Sequence, residues 1–191
     1  GFLNDYAFTA SALLYYLQSD WNTDYLDWAV QLANQMIARF EDEPRGGFFL
    51  TNHDHEQLLF RPKPMVEEGM PTGNGVAAQV LLTLGYLLGD VRYLTAGERA
   101  IRSADSLLHA SPSRHQSMLT ALSYYLRPPQ IVIIRGQGET FEAWTAFAKK
   151  HDYPGRFIFS VPADEQGLPK ALVNKALDAG VECCAYICQG I

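Results

Sequence analysis

Two acidic side chains in this sequence are candidates for paired-carboxylate chemistry. Asp5 stands before an apolar helical pattern, and Glu67 lies beside Glu68 in a loop rich in proline and glycine. Enzymes that cleave glycosidic bonds use two carboxyl groups, one as acid and the other as base or nucleophile. We therefore predict that Asp5 and Glu67 form a catalytic pair. The alternative is structural, with Asp5 as a helix cap and both glutamates as solvated loop residues.

Polar and aromatic residues near this pair are predicted to bind the substrate. Tyr6 adjoins the first carboxylate, and Arg61 and Lys63 alternate with prolines on the approach to the second. Guanidinium and ammonium groups hold carboxylates or phosphates, but they also pair with acids of their own chain. Thr72 and Asn74 begin the next predicted helix. Their side chains either contact the substrate or satisfy free N–H groups of the first helical turn.

Three further motifs favour structure over chemistry. His53-Asp54-His55 offers two imidazoles, but a metal site needs three or four ligands, so we expect exposed loop histidines rather than acid–base catalysts. Cys183, Cys184 and Cys188 lack Cys-x-x-Cys spacing and are expected to be buried, with the last two on one face of a strand. Gly136-Gln137-Gly138 lacks the third glycine of a dinucleotide fingerprint. We predict no metal site and no cofactor.

The elements that must position these residues change character at Pro128-Pro129. Before this point apolar residues recur every three or four positions, which indicates helices, and after it they form short β-branched runs. We therefore divide the chain into domains at residues 1–127 and 128–191. The predicted helices of the first domain span residues 6–17, 24–40, 73–88, 92–108 and 113–126. The second of them carries a predicted apolar stripe of Tyr25, Trp28, Ala29, Leu32, Met36 and Phe40.

A helix–turn–helix unit occurs twice in the first domain. Tyr16-Leu17 and Tyr86-Leu87 each end a helix, and Tyr25-Leu26 and Tyr93-Leu94 each begin the next one. Such hairpins cannot bury their apolar faces alone and need neighbours. The repeat favours either a helical array or a closed ring of hairpins, called an α/α toroid. In both arrangements we expect the predicted site residues at one end of the helices.

The second domain alternates between strand and helix patterns. Strands are predicted at residues 131–134, 157–161 and 181–187, with helices at 140–150 and 169–179 between them. A β-α-β-α-β order requires parallel strands joined by right-handed crossovers. The predicted fold is therefore mainly α, with a partial α/α toroid followed by a small three-stranded parallel α/β unit.

Composition excludes several classes of protein. The 191 residues are 48% hydrophobic and 19% charged, which is typical of a globular chain. The net charge of −6, without clusters of Lys and Arg, argues against a nucleic-acid partner. The apolar runs are too short for a membrane span. The sequence opens at Gly1 inside an apolar pattern, so we expect a fragment of a longer protein.

A fragment of a toroid would leave apolar surface uncovered. Five predicted helices cannot close a ring of six hairpins, so the hairpins at either edge lack a neighbour. Uncovered apolar patches drive association. We therefore predict self-association and no catalytic activity from the fragment alone. The apolar residues expected at the open edges are Leu13, Leu14, Tyr16, Leu119 and Leu122.

Four stretches together resemble a known family. They are Gly1-Phe2-Leu3-Asn4-Asp5-Tyr6-Ala7, Gly46-Gly47-Phe48-Phe49, Arg61-Pro62-Lys63 and Pro71-Thr72-Gly73-Asn74-Gly75-Val76-Ala77-Ala78. In this order they resemble the C-terminal part of the thioredoxin-domain-containing, spermatogenesis-associated protein 20-like proteins. The resemblance implies a preceding thioredoxin-like domain and a toroid similar to N-acylglucosamine 2-epimerases and six-hairpin glycosidases. The sequence departs from that family at Glu67, Glu68 and Met70, where the family tends to have Asp, Gly and an acidic residue.

Two functional hypotheses from different classes follow. In the first, the chain is the C-terminal fragment of a carbohydrate-active or sugar-binding toroid protein linked to a thioredoxin-like domain. In the second, it is a non-catalytic scaffold or interaction module that serves the absent redox domain. The expected partners are a sugar, the preceding part of the same polypeptide and a second copy of the chain, all in the cytoplasm. A sugar site requires Asp5, Tyr6, Glu67 and Asn74 to converge on one solvent-filled cleft, whereas a scaffold does not.

Overall fold

The computed structural model describes residues 1–54 and 60–190. The helical part comprises α1 (Leu3–Ser19), α2 (Thr23–Phe40), α3 (Gly73–Leu88), α4 (Val91–Ser103), α5 (Asp105–Ala110) and α6 (Gln116–Leu126). The rest comprises β1 (Gln130–Gly136), α7 (Gly138–Lys150), β2 (Arg156–Pro162), α8 (Lys170–Val173) and β3 (Cys183–Gln189). The chain is mostly helical with a small sheet, as predicted, and the change from helices to strands falls at Pro128-Pro129. The division into two domains stays a prediction.

Both predicted helix–turn–helix units are present, and each turn is fixed by a capping side chain. Asn22 accepts hydrogen bonds from the N–H groups of Asp24 and Tyr25 at the start of α2. Asp90 accepts one from Arg92 at the start of α4. Gly89 ends α3 with φ +67°, a left-handed conformation that suits glycine. Short polar residues at these turns therefore determine where each hairpin bends.

Helix α3 is the centre of the helical part. It packs against α1, α4 and α6, and 13 of its 16 residues are buried. Gly73 lies against Asn4 of α1, and a Cβ on Gly75 would stand 2.8 Å from the Met118 nitrogen of α6. At the other end, the Tyr86 hydroxyl donates to the Tyr124 carbonyl. The helices α1, α3 and α6 therefore run in the same direction with their N-termini together, while α2 and α4 pack outside them.

Several side chains lie elsewhere than the periodicity predicts. On α2 the buried residues include Leu26 and Ala33, whereas Tyr25 and Trp28 of the predicted stripe are exposed. The buried face of α2 is formed by Leu26, Ala29, Ala33, Met36 and Phe40, so the predicted stripe lies too far towards Tyr25 and Trp28. Leu13 and Leu14, expected at an open edge, are buried inside the chain because α1 is covered by α2, α3 and β2.

Two helix boundaries also differ from the prediction. The helix predicted at residues 92–108 breaks at Ala104 into α4 and α5, and that predicted at 169–179 is reduced to α8. Gly180 has φ +83° but stands in a turn rather than at a helix end. Across residues 1–54 and 60–190, no helix is long and apolar enough to cross a membrane.

The sheet is mixed, and the expectation of a purely parallel sheet is wrong. The strand order is β2-β1-β3, with β1 parallel to β2 and antiparallel to β3. For β3 to pair in parallel, a crossover helix would have to return the chain to the end of the sheet at which β1 and β2 begin. The segment between β2 and β3 instead stays at the end where β1 and β2 finish. Its first residues are held there by the bond from the Ala163 N–H to the Gly136 carbonyl, and its last residues by the bond from the Gln137 N–H to the Glu182 carbonyl. The chain therefore enters β3 beside the end of β1.

One face of the sheet joins the helical core. Ile131 and Ile133 of β1, with Phe157 and Phe159 of β2, pack in the same apolar cluster as the helices. Trp21 meets Phe159 edge-on with ring centroids 5.8 Å apart. The side-chain oxygen of Gln18 accepts a hydrogen bond from the Ile158 N–H at 3.2 Å. The sheet therefore lies at the C-terminal end of α1, while α7 covers part of the opposite face.

We expect Gly75→Ala to destabilise the fold by about 2 kcal/mol or more, because the added methyl group meets the Met118 backbone and cannot be relieved by a rotamer change. Gly97→Ala is the matched control, since the nearest atom to its methyl group is a side-chain carbon of Leu82 at 3.0 Å and the nearest backbone atom is at 3.4 Å. Urea unfolding of both variants measures the difference. Equal stability of the two variants would contradict the close approach of α3 and α6.

Candidate functional site

The predicted site residues surround the N-terminal ends of α1, α3 and α6. A segment that we call the strap, residues 60–72, crosses this end of the molecule. The Leu50 N–H donates to the Pro62 carbonyl, and the Glu67 N–H donates to the Arg114 carbonyl just before α6. The side chains of the strap can therefore reach the free N–H groups of the helices beneath it.

Asp5 and Tyr6 lie on the first turn of α1. The Asp5 carboxylate is exposed and accepts a hydrogen bond from the Phe2 N–H at 2.9 Å, in the reciprocal half of a capping arrangement. The half-buried Tyr6 ring packs against Phe40 with centroids 5.1 Å apart. Both residues therefore hold the start of α1, although the carboxylate of Asp5 also faces solvent.

Glu67 caps a helix to which it does not belong. One of its carboxylate oxygens accepts hydrogen bonds from both the backbone N–H and the hydroxyl of Ser117, each at 2.6 Å. Ser117 is in the first turn of α6, where N–H groups lack partners within the helix. Thr72 caps α3 by accepting from the Gly75 N–H at 3.1 Å, and its hydroxyl lies 3.4 Å from that of Ser117. A continuous polar chain thus links the strap to two helix starts.

Asn74 is fully buried and uses its amide entirely within the protein. Its oxygen accepts from the Phe48 N–H at 2.7 Å, and its nitrogen donates to the carbonyls of Phe48 and Pro64, each at 2.9 Å. The amide group therefore bonds to both backbone groups of Phe48, the N–H and the carbonyl. It holds the strap against α3 and presents no polar atom to solvent.

Arg61 and Lys63 both pair within the chain. Arg61 donates to the Thr51 carbonyl at 2.6 Å, and its guanidinium lies 4.0 Å from the centre of the Phe49 ring. The Lys63 ammonium bonds to the Asp42 carboxylate at 2.7 Å and to a backbone carbonyl. Burial acts to raise the pKa of Asp42, but hydrogen bonds and charge from Lys63, with a smaller contribution from Arg45, outweigh it and lower the pKa below its usual value. These cations stabilise the loop beneath the strap.

The structure thus gathers the predicted residues at one end but commits most of their polar atoms to internal bonds. Glu67 and Thr72 meet at Ser117, whereas Asp5 bonds within its own helix start. Roles for Asp5 and Glu67 in catalysis, and for the other five residues in substrate binding, stay predictions.

The remaining motifs have ordinary surroundings. The Nδ1 atom of His53 lies 3.1 Å from the Arg61 guanidinium, and His55 lies outside the described residues. Cys184 and Cys188 share one face of β3 and Cys183 lies on the other, as predicted. The shared face is turned towards the helical core. All three are free thiols and half-buried, so the expectation that they are buried is wrong. In the ranges 1–54 and 60–190 no cluster of His, Cys, Asp and Glu could hold a metal ion.

Sequence reasoning missed two features. Ser117 joins the strap to α6, and a serine in the second position of a helix is a signal that could have identified it. A cleft also lies at the opposite end of the helices, lined by residues that include Tyr15, Tyr124 and Tyr153. Tyrosines far apart in the sequence give no local pattern, so only the packed fold reveals this cleft.

The cap supplied by Glu67 gives a direct test. We expect Glu67→Ala to lower the free energy of unfolding by about 2 kcal/mol, because two donors of Ser117 lose a charged acceptor. Glu68→Ala is the control, since Glu68 is the neighbouring exposed carboxylate. Denaturant unfolding of the two variants under identical conditions measures the effect, and a similar loss in both would show that Glu67 is not a specific cap.

Comparisons with known proteins give a distant relationship. No family model matches the chain. It is 27% identical to spermatogenesis-associated protein 20 of Rattus norvegicus and 26% identical to that of Homo sapiens, over 137 residues in each case. These alignments cover 71% of this chain and 17% of each relative. Uncharacterized protein B0495.5 of Caenorhabditis elegans is 22% identical over 99% of this chain and 26% of its own length. The chain is thus distantly similar to spermatogenesis-associated protein 20 and spans about 17% of that protein's length.

Proposed function

We propose that this chain is a non-catalytic interaction module, built from helical hairpins, that works as the C-terminal part of a longer polypeptide. Its proposed partner is the preceding part of that polypeptide, including a thioredoxin-like domain of the kind that the family resemblance implies. We further propose that its parallel inner helices and outer helices are a segment of an α/α toroid. Three free thiols suit a reducing compartment and support a cytoplasmic location.

The burial of Asn74 carries this proposal. A residue that recognises a substrate must present a polar atom to it, and Asn74 has its amide oxygen and nitrogen bonded to the backbone of its own chain. Because the Asn74 amide is buried, it cannot contact a sugar in solution. Its bonds to Phe48 and Pro64 instead hold the strap on α3. The arrangement therefore favours a role in holding the helices together.

An exposed aromatic patch on the first hairpin is the proposed contact surface. It consists of Tyr16, Tyr25 and Trp28, which are 48%, 37% and 49% exposed. The rings of Tyr16 and Tyr25 meet edge-on at 5.5 Å, and Trp28 follows Tyr25 by one helical turn. Aromatic rings are enriched in the buried centres of protein interfaces. We propose that a neighbouring hairpin of the longer protein covers this patch.

Without that neighbour, the patch is expected to drive self-association. In sedimentation equilibrium at micromolar concentrations, we expect the wild-type chain to form oligomers and Trp28→Asp to shift it towards the monomer. Val91→Asp is the control, because Val91 is also an exposed apolar residue but lies on the second hairpin. A wild-type chain that stays monomeric, or an equal effect of both variants, would contradict the proposed surface.

A carbohydrate-active toroid is the second candidate. The observation in its favour is that the Asp5 carboxylate is exposed beside the half-exposed ring of Tyr6, a combination that can bond and stack on a sugar. A thermal-shift assay against a panel of neutral sugars separates the candidates, because a bound ligand raises the melting temperature. For an interaction module we expect no shift. A shift in the wild type that disappears in Asp5→Asn would favour the carbohydrate candidate instead.

A further inference from the structure

A second concavity lies at the C-terminal ends of the inner helices, away from the strap. We call it the tyrosine cleft. It has a volume of about 910 Å³ and is bounded by the ends of α1 and α6 and by the segment from Lys149 to Ile158. This volume is in the range of sites that hold small molecules, which is roughly 300–1,000 Å³. The helical part and the sheet both contribute to its wall.

Three tyrosines supply rings and hydroxyl groups to the cleft. Tyr15 is 56% exposed and Tyr153 is 46% exposed, while Tyr124 is half-buried behind them. Burial and the neighbouring hydroxyl of Tyr15 raise the pKa of Tyr124 to about 12. The Tyr124 hydroxyl is therefore neutral at physiological pH and adds no negative charge. Ser123 and Thr120 add further hydroxyl groups to the same wall.

The cleft is cationic in a protein whose net charge is −6. Among the described residues that line it, three side chains are cationic, namely Arg127, Lys149 and Arg156, and one is a carboxylate, that of Asp152. Arg156 lies 4.1 Å from the centre of the Tyr153 ring and bonds to Gln130. The Lys149 ammonium donates to the Ser19 carbonyl at 3.0 Å. Each of these two cations therefore has a contact that fixes its position at the rim.

Arg127 differs from both of them. Its side chain is exposed, and within residues 1–54 and 60–190 its guanidinium has neither a hydrogen-bond acceptor nor an ion-pair partner. Its position at the end of α6 offsets the negative end of that helix. Offsetting the helix end uses the positive charge of Arg127 but none of its N–H groups. These N–H groups can therefore bind an oxyanion in a bidentate manner.

We infer that the tyrosine cleft binds a small molecule in which a phosphate monoester is attached to a ring. A phosphate monoester carries a charge of about −1.5 to −2 at neutral pH, which matches the excess of cations in the cleft. Arg127 and Lys149 would hold the phosphate, and the exposed faces of Tyr15 and Tyr153 would contact the ring. Both an aromatic ring and a sugar ring present a face that packs on tyrosine. This site lies at the opposite end of the helices from the strap and does not depend on the proposed function.

Calorimetric titration at 150 mM salt tests the inference with four probes. Phenyl phosphate and glucose 6-phosphate each combine a ring with the anion, inorganic phosphate has the anion alone, and glucose has the ring alone. We expect at least one ring phosphate to bind at least tenfold more tightly than inorganic phosphate, and glucose not to bind. Comparison of phenyl phosphate with glucose 6-phosphate then identifies the kind of ring. Equal affinity for inorganic phosphate and both ring phosphates, or no binding by either ring phosphate, would overturn the inference.

Matched variants place the binding in the cleft. We expect Arg127→Met to weaken binding of the ring phosphate at least tenfold, and Tyr153→Leu to weaken it by a smaller factor. Arg114→Met is the control, because Arg114 is an exposed arginine just before the opposite end of α6. All three positions are exposed, and unfolding curves check that each variant is folded. An equal effect of Arg127→Met and Arg114→Met would show general charge attraction and overturn the site.

Discussion

The close approach of α3 to its two parallel neighbours is the constraint on which the rest of the structure depends. Gly73 and Gly75 have no side chain, so the Asn4 side chain of α1 and the Met118 backbone of α6 come close to the first turn of α3. Helices packed this tightly exclude water from their N–H groups. Those groups must then find acceptors within the protein, since an unmet buried donor costs about 1–3 kcal/mol.

The strap meets that requirement. Glu67 of the strap supplies an oxygen to the start of α6, and Thr72 supplies one to the start of α3. Asn74 of α3 in turn accepts from the Phe48 N–H and donates to the Pro64 carbonyl of the strap. The same residue types would also make a sugar site, because carboxylates, hydroxyls and amides serve equally as caps and as substrate ligands. Geometry separates the two roles, and here Glu67 caps α6 while Asn74 joins α3 to the strap and to the segment around Phe48.

Local signals predicted much of the fold. The two helix–turn–helix units follow from the repeated Tyr-Leu pairs at the helix ends, and the change at Pro128-Pro129 follows from the loss of helical periodicity. The direction of β3 could not be predicted in this way. It depends on where the segment after β2 is held, through bonds at Gly136 and Glu182 that are far apart in sequence. The exposure of Glu67 likewise depends on its bonds to Ser117, which is fifty residues away and forms no local sequence pattern with it.

The antiparallel return of β3 brings the two ends of the α/β segment together. Gln130 at its beginning pairs with Gln189 near its end, and the Gln189 side chain donates to the Pro128 carbonyl. Residues before Gln130 and residues after Gln189 therefore lie next to each other rather than on opposite sides of the sheet. A parallel third strand would instead have separated those two ends by the length of the sheet.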